Sequence, residues 1–158
     1  MISIVTTGIS EDIIGVLEAQ GLPVRRNLNL DIIPFPNDIT SVDDQELMEL
    51  ARCYMENYNF MLTQVACAEL AVTEADNLYD TTEAEMLLSK SSDPKVKATT
   101  VKAMIITDPI MKDLANNLLR AQAYHKLLKT TMDNLERYYQ LTSRELTRRT
   151  SVLKARGY

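Results

Sequence analysis

From Leu47 onward the apolar or small positions fall at Leu47, Leu50, Tyr54, Tyr58, Met61, Val65, Ala68, Val72, Ala75 and Tyr79, in steps of three and four. That is the period of an α-helix with one covered face. No Gly or Pro interrupts it before Pro94, so the pattern predicts a helix of about 48 residues, roughly 70 Å long. Thr40 or Ser41 would cap it, with Asp43, Asp44 and Glu46 beside the positive end of its dipole. "SSDP" at Ser91–Pro94 and "TDP" at Thr107–Pro109 repeat one device, an Asp N-cap followed by Pro in the first helical position. The first opens a short helix to about Ile106. The second opens another long stripe: Leu114, Leu118, Ala121, His125, Leu128, Met132, Leu135, Tyr139, Thr142, Leu146, Arg149 and Leu153. Its steps predict a helix from Pro109 to about Ala155, again near 70 Å.

Two long stripes of matched length and a short connector describe an all-α protein, a long antiparallel helical hairpin of coiled-coil type. Residues 40–158 form this hairpin domain, and residues 1–39 precede it as an arm. In the arm, Ser10 to about Ala19 reads as a short helix stopped by Gly21 and Pro23. Leu28, Leu30 and Ile32 then alternate with polar residues, and Pro34 and Pro36, around Phe35, forbid regular helix. An extended arm with one apolar face either folds onto its own domain or lies along a neighbouring subunit. Leu28, Leu30, Ile32 and Phe35 are its candidate contact residues. Met48, Met55, Leu62, Leu70, Leu119, Leu127 and Leu141 lie off the two stripes. They call for further cover, which self-association into a homo-oligomeric bundle would provide.

Charge changes the picture more than composition does. The formal net charge is −5, but residues 1–92 hold four Lys/Arg against sixteen Asp/Glu, and residues 93–158 hold thirteen against six. The two long helices therefore carry opposite sign, and antiparallel pairing is expected to neutralise part of both. The last eighteen residues hold five Lys/Arg and one Glu. Four Gly, five Pro and no Trp fit long helices better than a turn-rich β fold. Cys53 and Cys67 would lie about 21 Å apart on one helix, beyond bridging range, and read as reduced, packed thiols. There is no 18-residue apolar run and no basic-then-apolar leader, so neither a membrane span nor secretion is expected.

Catalytic motifs are missing. The one histidine, His125, lies in an apolar stripe; the cysteines lack zinc spacing; the glycines never cluster into a phosphate loop. No cofactor, metal site or enzymatic activity is expected. The C-terminal cations carry the functional lead. Arg137, Arg144, Arg148, Arg149, Lys154 and Arg156 follow one another along the last helix, and Tyr138, Tyr139 and Tyr158 add aromatic surface. Arginine with tyrosine supplies the phosphate contacts and stacking platforms that single-stranded nucleic acid uses. The same cations would also serve simply to pair with the acidic first helix and to complement a helix C-terminus.

The stretch "KAMIITDPIMKDLANNLLRAQAYHKLLKTTMDNLERYYQLTSRELTRR", Lys102 to Arg149, resembles the UvsY-like recombination mediators of T-even phages in its basic lead-in, Asp-Pro helix start, apolar repeat and arginine-bearing end. The resemblance covers about a third of the chain. It implies a ring-forming helical homo-oligomer that holds single-stranded DNA, helps load a recombinase and works in the cytoplasm of a bacterial host. The family's basic, tyrosine-containing DNA-binding stretch follows its first helix. Here that place reads "NLYDTTEAEMLL", so a DNA surface would fall on the second helix and the C-terminus. The alternative expectation is a structural virion or assembly protein that docks on virion partners through its hairpin and arm.

Overall fold

The computed structural model describes residues 2–3, 5–22, 24–28, 32–90 and 98–155. In chain order the elements are β1 (Ile2–Ser3), α1 (Gly8–Ala19), β2 (Asn27–Leu28), α2 (Asp44–Lys90), α3 (Ala98–Thr107) and α4 (Pro109–Ala155). The helices α2 and α4 are 47 residues each and pack along one another. Ion pairs at both ends fix their direction. Arg149, near the end of α4, meets Asp44 at the start of α2 at 2.6 Å, and Lys90, at the end of α2, meets Asp108 before α4 at 3.5 Å. The antiparallel hairpin expected from the two stripes is thus the fold.

The helix ends are set by side chains. Asp43 caps α2, its Oδ1 accepting the Glu46 amide at 2.8 Å. Thr40 and Ser41, expected in that role, are turned to Asp38 instead: the Thr40 amide and hydroxyl both donate to Asp38 Oδ1, and the Ser41 hydroxyl donates to the Asp38 carbonyl. Asp108 caps α4 by accepting the Ile110 amide at 3.0 Å, with Pro109 in the first helical position. The matching expectation at Asp93 and Pro94 lies outside the described residues. α1 begins two residues earlier than its apolar pattern implied, because the Thr7 amide donates to Ser10 Oγ at 2.7 Å. α1 ends in a Schellman motif, Leu22 N to Leu17 O and Gly21 N to Glu18 O, with Gly21 at φ +76°.

The α4 stripe packs inward from Leu114 to Arg149, with Leu135 and Thr142 buried in it, but its last position, Leu153, is exposed because α4 there runs past the start of α2. The α2 stripe needs a correction. Its seam runs Leu47, Leu50, Tyr54, Asn57, Met61, Gln64 and Ala68, all buried, flanked by buried Cys53, Phe60 and Cys67. Two polar residues, Asn57 and Gln64, take the fully buried positions beside the expected Tyr58 and Val65, which are half-buried, with Tyr58 packed against the central core. The Asn57 amide donates to the Cys53 carbonyl at 2.8 Å, while Asn57 Oδ1, Gln64 Nε2 and the Tyr54 hydroxyl have no partner. The central core gathers Leu50, Tyr54, Phe60, Met61 and Leu135; a second core at the hairpin tip gathers Val101 and Ile105 of α3 with Met111.

The arm folds onto its own domain. Phe35 stacks on Tyr138 (centroids 4.9 Å apart) and on Tyr54 (6.2 Å), and Tyr54 tilts against Tyr138 at 5.5 Å. Phe35 therefore belongs to the hairpin's core, not to a free subunit contact. Leu28 pairs through its backbone with Ile2, Ile32 is exposed, and Leu30 lies outside the described residues. α1 lies across α2, where the Glu74 carboxylate accepts from the Thr7 hydroxyl and the Ile9 amide at the positive end of the α1 dipole. Between the two helices runs an apolar cleft of about 340 Å³ lined by Ile14, Leu17, Ala66 and Leu70 among others. Part of the cover for the off-stripe residues thus comes from within the chain.

Leu135 is 2% exposed at the centre of the seam, so Leu135→Ala should destabilise the fold by about 2–5 kcal/mol in chemical unfolding. Leu127 on the same helix is 68% exposed, and Leu127→Ala should stay within about 0.5 kcal/mol of the wild type.

Candidate nucleic-acid interface

Among the described residues one ion pair crosses between α2 and α4, Asp44 with Arg149. The neutralisation expected of two helices of opposite sign is therefore confined to the base of the hairpin. α2 holds ten carboxylates and two cations, and α4 holds nine cations and four carboxylates. Nearly all of these side chains sit at positions that point away from the seam, where they do not meet across it.

The six candidate cations separate into distinct roles. Arg149 is internal. Its side chain is 18% exposed; its Nε donates to Glu145 Oε1 at 2.8 Å, Nη1 to Asp44 at 2.6 Å, and Nη2 to the carbonyls of Ile39 and Thr40. It is a clasp joining the end of α4, the start of α2 and the turn before it, not a nucleic-acid contact. Arg148 forms a two-bond fork with Glu145, both at 2.7 Å, with its side chain 59% exposed. Arg137, Arg144 and Lys154 are exposed and, among the described residues, make no ion pair within 4.0 Å. Arg156 lies outside the described residues.

Exposed Lys126, Arg137, Leu141, Arg144 and Arg148 share the outward side of α4. At about 100° per residue they lie within a sector of roughly 60°. This ridge offers cations to phosphates, but the aromatic half of the expected surface is withdrawn. Tyr138 is held in the ring cluster with Phe35 and Tyr54, Tyr139 is half-buried against the core, and Tyr158 lies outside the described residues. Among the described residues no stacking platform accompanies the ridge. The hollow beside it, about 240 Å³, is lined by Asp44, Arg148, Arg149, Val152 and Leu153, and its mixed charge makes it no anion pocket.

The key residue that sequence patterns did not single out is Glu145. It is 7% exposed, and the guanidinium groups of Arg148 and Arg149 hold its carboxyl down at about 2. Its position four residues before Arg149 and three before Arg148 was the available signal. The cysteines offer no nucleophile: both are buried, and burial pushes the Cys67 thiol up. Burial likewise pushes the Tyr54 hydroxyl up to about 12. His125 is half-buried on the seam side of α4. Among the described residues, no group of three or more His, Cys, Asp or Glu is placed to hold a metal, and no helix is long and apolar enough to cross a membrane.

Comparison with protein-family models, curated proteins and solved structures gives no match to this chain.

The clasp has a pH signature. A carboxyl lowered from 4.5 to about 2 in the folded state stabilises the fold at pH values above 4.5, and that stabilisation is lost as pH falls toward 2. The difference in thermal midpoint between wild type and Glu145→Gln should be constant above about pH 5 and shrink below it. A difference independent of pH would contradict the clasp.

Proposed function

We propose that this chain is a non-enzymatic helical accessory protein of nucleic-acid recombination that holds single strands by their phosphates along the outward ridge of α4. The observation that carries the reading is the direction of the charge. Arg137 and Arg144 are exposed and meet no acidic partner among the described residues, those of α2 included, so neutralising α2 does not account for them. The resemblance of Lys102–Arg149 to the UvsY-like mediators supports the same reading, with the DNA surface moved to α4. Because Tyr138 and Tyr139 are engaged in the core, recognition is electrostatic and tolerant of sequence. Arg137, Arg144, Arg148 and Lys154 make the contacts, with Arg149 positioning the base of α4. Avidity comes from several copies on one strand.

The second reading is a structural assembly component, and a specific observation favours it. Leu119 is 63% and Leu141 46% exposed, both on the cationic side of α4, where a protein partner gains more from them than a phosphate backbone does.

The test is fluorescence anisotropy with a labelled, mixed-sequence oligonucleotide between about 50 mM and about 200 mM salt. Wild type should bind, with a logarithmic salt slope that falls in magnitude by about 1.4 in Arg137→Ala/Arg144→Ala, two phosphate contacts at about 0.7 each. No binding at the lower salt concentration would remove the reading.

A further inference from the structure

The ridge of α4 has a counterpart on α2. Leu62, Ala66, Glu69, Thr73, Asp76 and Asp80 follow one another in steps of four and three, and all six are exposed. They share one side of α2 within a sector of about 80°. Among the described residues Glu69, Asp76 and Asp80 meet no cation, unlike Glu56, which meets Arg25 and Arg52, and Asp44, which meets Arg149. The carboxylates are spaced by seven and four residues. On α4 the cations Arg137, Arg144 and Arg148 are spaced by seven and four as well. Each line also carries exposed apolar surface: Leu62 (43%) on α2, Leu119 and Leu141 on α4.

We infer that the acidic line of α2 in one copy docks on the basic ridge of α4 in a second copy. With equal spacing, α2 of the first copy runs parallel to α4 of the second, placing Glu69, Asp76 and Asp80 opposite Arg137, Arg144 and Arg148. Within one chain this meeting is impossible, because α2 and α4 run antiparallel and both lines lie off their shared seam. Each exposed pair adds only a few tenths of a kcal/mol, so the charges choose partner and register, while Leu141, set opposite Thr73, and Leu62, set opposite Thr130, are covered by the second copy and add buried apolar area. The inference goes beyond the nucleic-acid reading and shares its ridge. A strand and a second copy compete there, and self-association keeps the ridge covered until a polyanion displaces it.

The test uses full-length chains in sedimentation equilibrium. One variant reverses the acidic line (Glu69→Lys, Asp76→Lys, Asp80→Lys), and the other reverses the ridge (Arg137→Glu, Arg144→Glu, Arg148→Glu). Circular dichroism confirms that each keeps its helix content. Wild type should assemble at about 50 mM salt and dissociate at about 200 mM or above. Each variant alone should be monomeric, and mixing the two should restore assembly. A monomeric wild type at low salt, a variant that assembles like wild type, or a mixture that stays monomeric would each overturn the inference. The acid-reversed variant also separates the two proposals. Its loss of assembly with retained oligonucleotide binding supports both. Restored assembly on mixing, together with failure of wild type and this variant to bind the oligonucleotide, upholds the docking and removes the nucleic-acid reading alone.

Discussion

The packing of Tyr54 and its neighbours on α2 against Leu135 and Tyr138 on α4 is the contact on which everything else in this molecule depends. Helices of 47 residues have no reason to remain side by side in water unless an apolar face is removed from it. Here Leu50, Tyr54, Phe60, Met61 and Leu135 form that face, and Phe35 closes it from the arm side. The polar groups within the seam oppose stability: the Tyr54 hydroxyl, Asn57 Oδ1 and Gln64 Nε2 are buried without partners. Polar residues at such positions restrict the registers a helix pair can adopt. Asn57 and Gln64, seven residues apart on one line, fit that role.

Because the seam is apolar, the charges are left for other work. Opposite sign on the two helices invites the idea that they attract each other. Their geometry confines the attraction to Asp44 and Arg149 at the base and to Lys90 and Asp108 at the tip. One pair sits at the base, where the chain enters and leaves the hairpin, and the other at the tip, so together they hold its two ends. The remaining charge lies mostly on outward sides, predominantly acidic on α2 and predominantly basic on α4, so each flank of the hairpin carries an excess of one sign. Such a hairpin has two natural kinds of partner, a polyanion along α4 or another hairpin laid against it, and both compete for one ridge.

Much of this was legible in the amino-acid pattern, and the exceptions have physical reasons. The α4 stripe is legible from Leu114 to Arg149 because nearly every seam position holds an apolar or small residue; Leu153 continues the spacing but lies beyond the start of α2 and is exposed. The α2 stripe drifted by one residue at Tyr58 and Val65 because Asn57 and Gln64 are polar and buried; a search for apolar residues passes over them. The Asp-Pro start of α4 was legible because the cap is local chemistry. The docking of Phe35 was not, because an alternating, proline-bounded arm suits either its own domain or a neighbour, and only the ring contacts with Tyr54 and Tyr138 decide. The basic block was visible, but not its division into a clasp at Arg149, a fork at Arg148 and exposed cations at Arg137 and Arg144. That division depends on which way each side chain faces after α2 is in place.

The most direct measurement is the distance between paired nitroxide labels, with labelled chains diluted into an excess of unlabelled ones so that only distances within a chain are read. Labels at Arg52 and Arg144, both exposed, should give one narrow, short distance. Labels at Asp80 and Arg144 should lie on the order of 40–50 Å apart, about thirty residues of helix at 1.5 Å each. Two broad distributions, or a shorter distance for the second pair than for the first, would contradict an apolar seam that holds α2 and α4 antiparallel along their length.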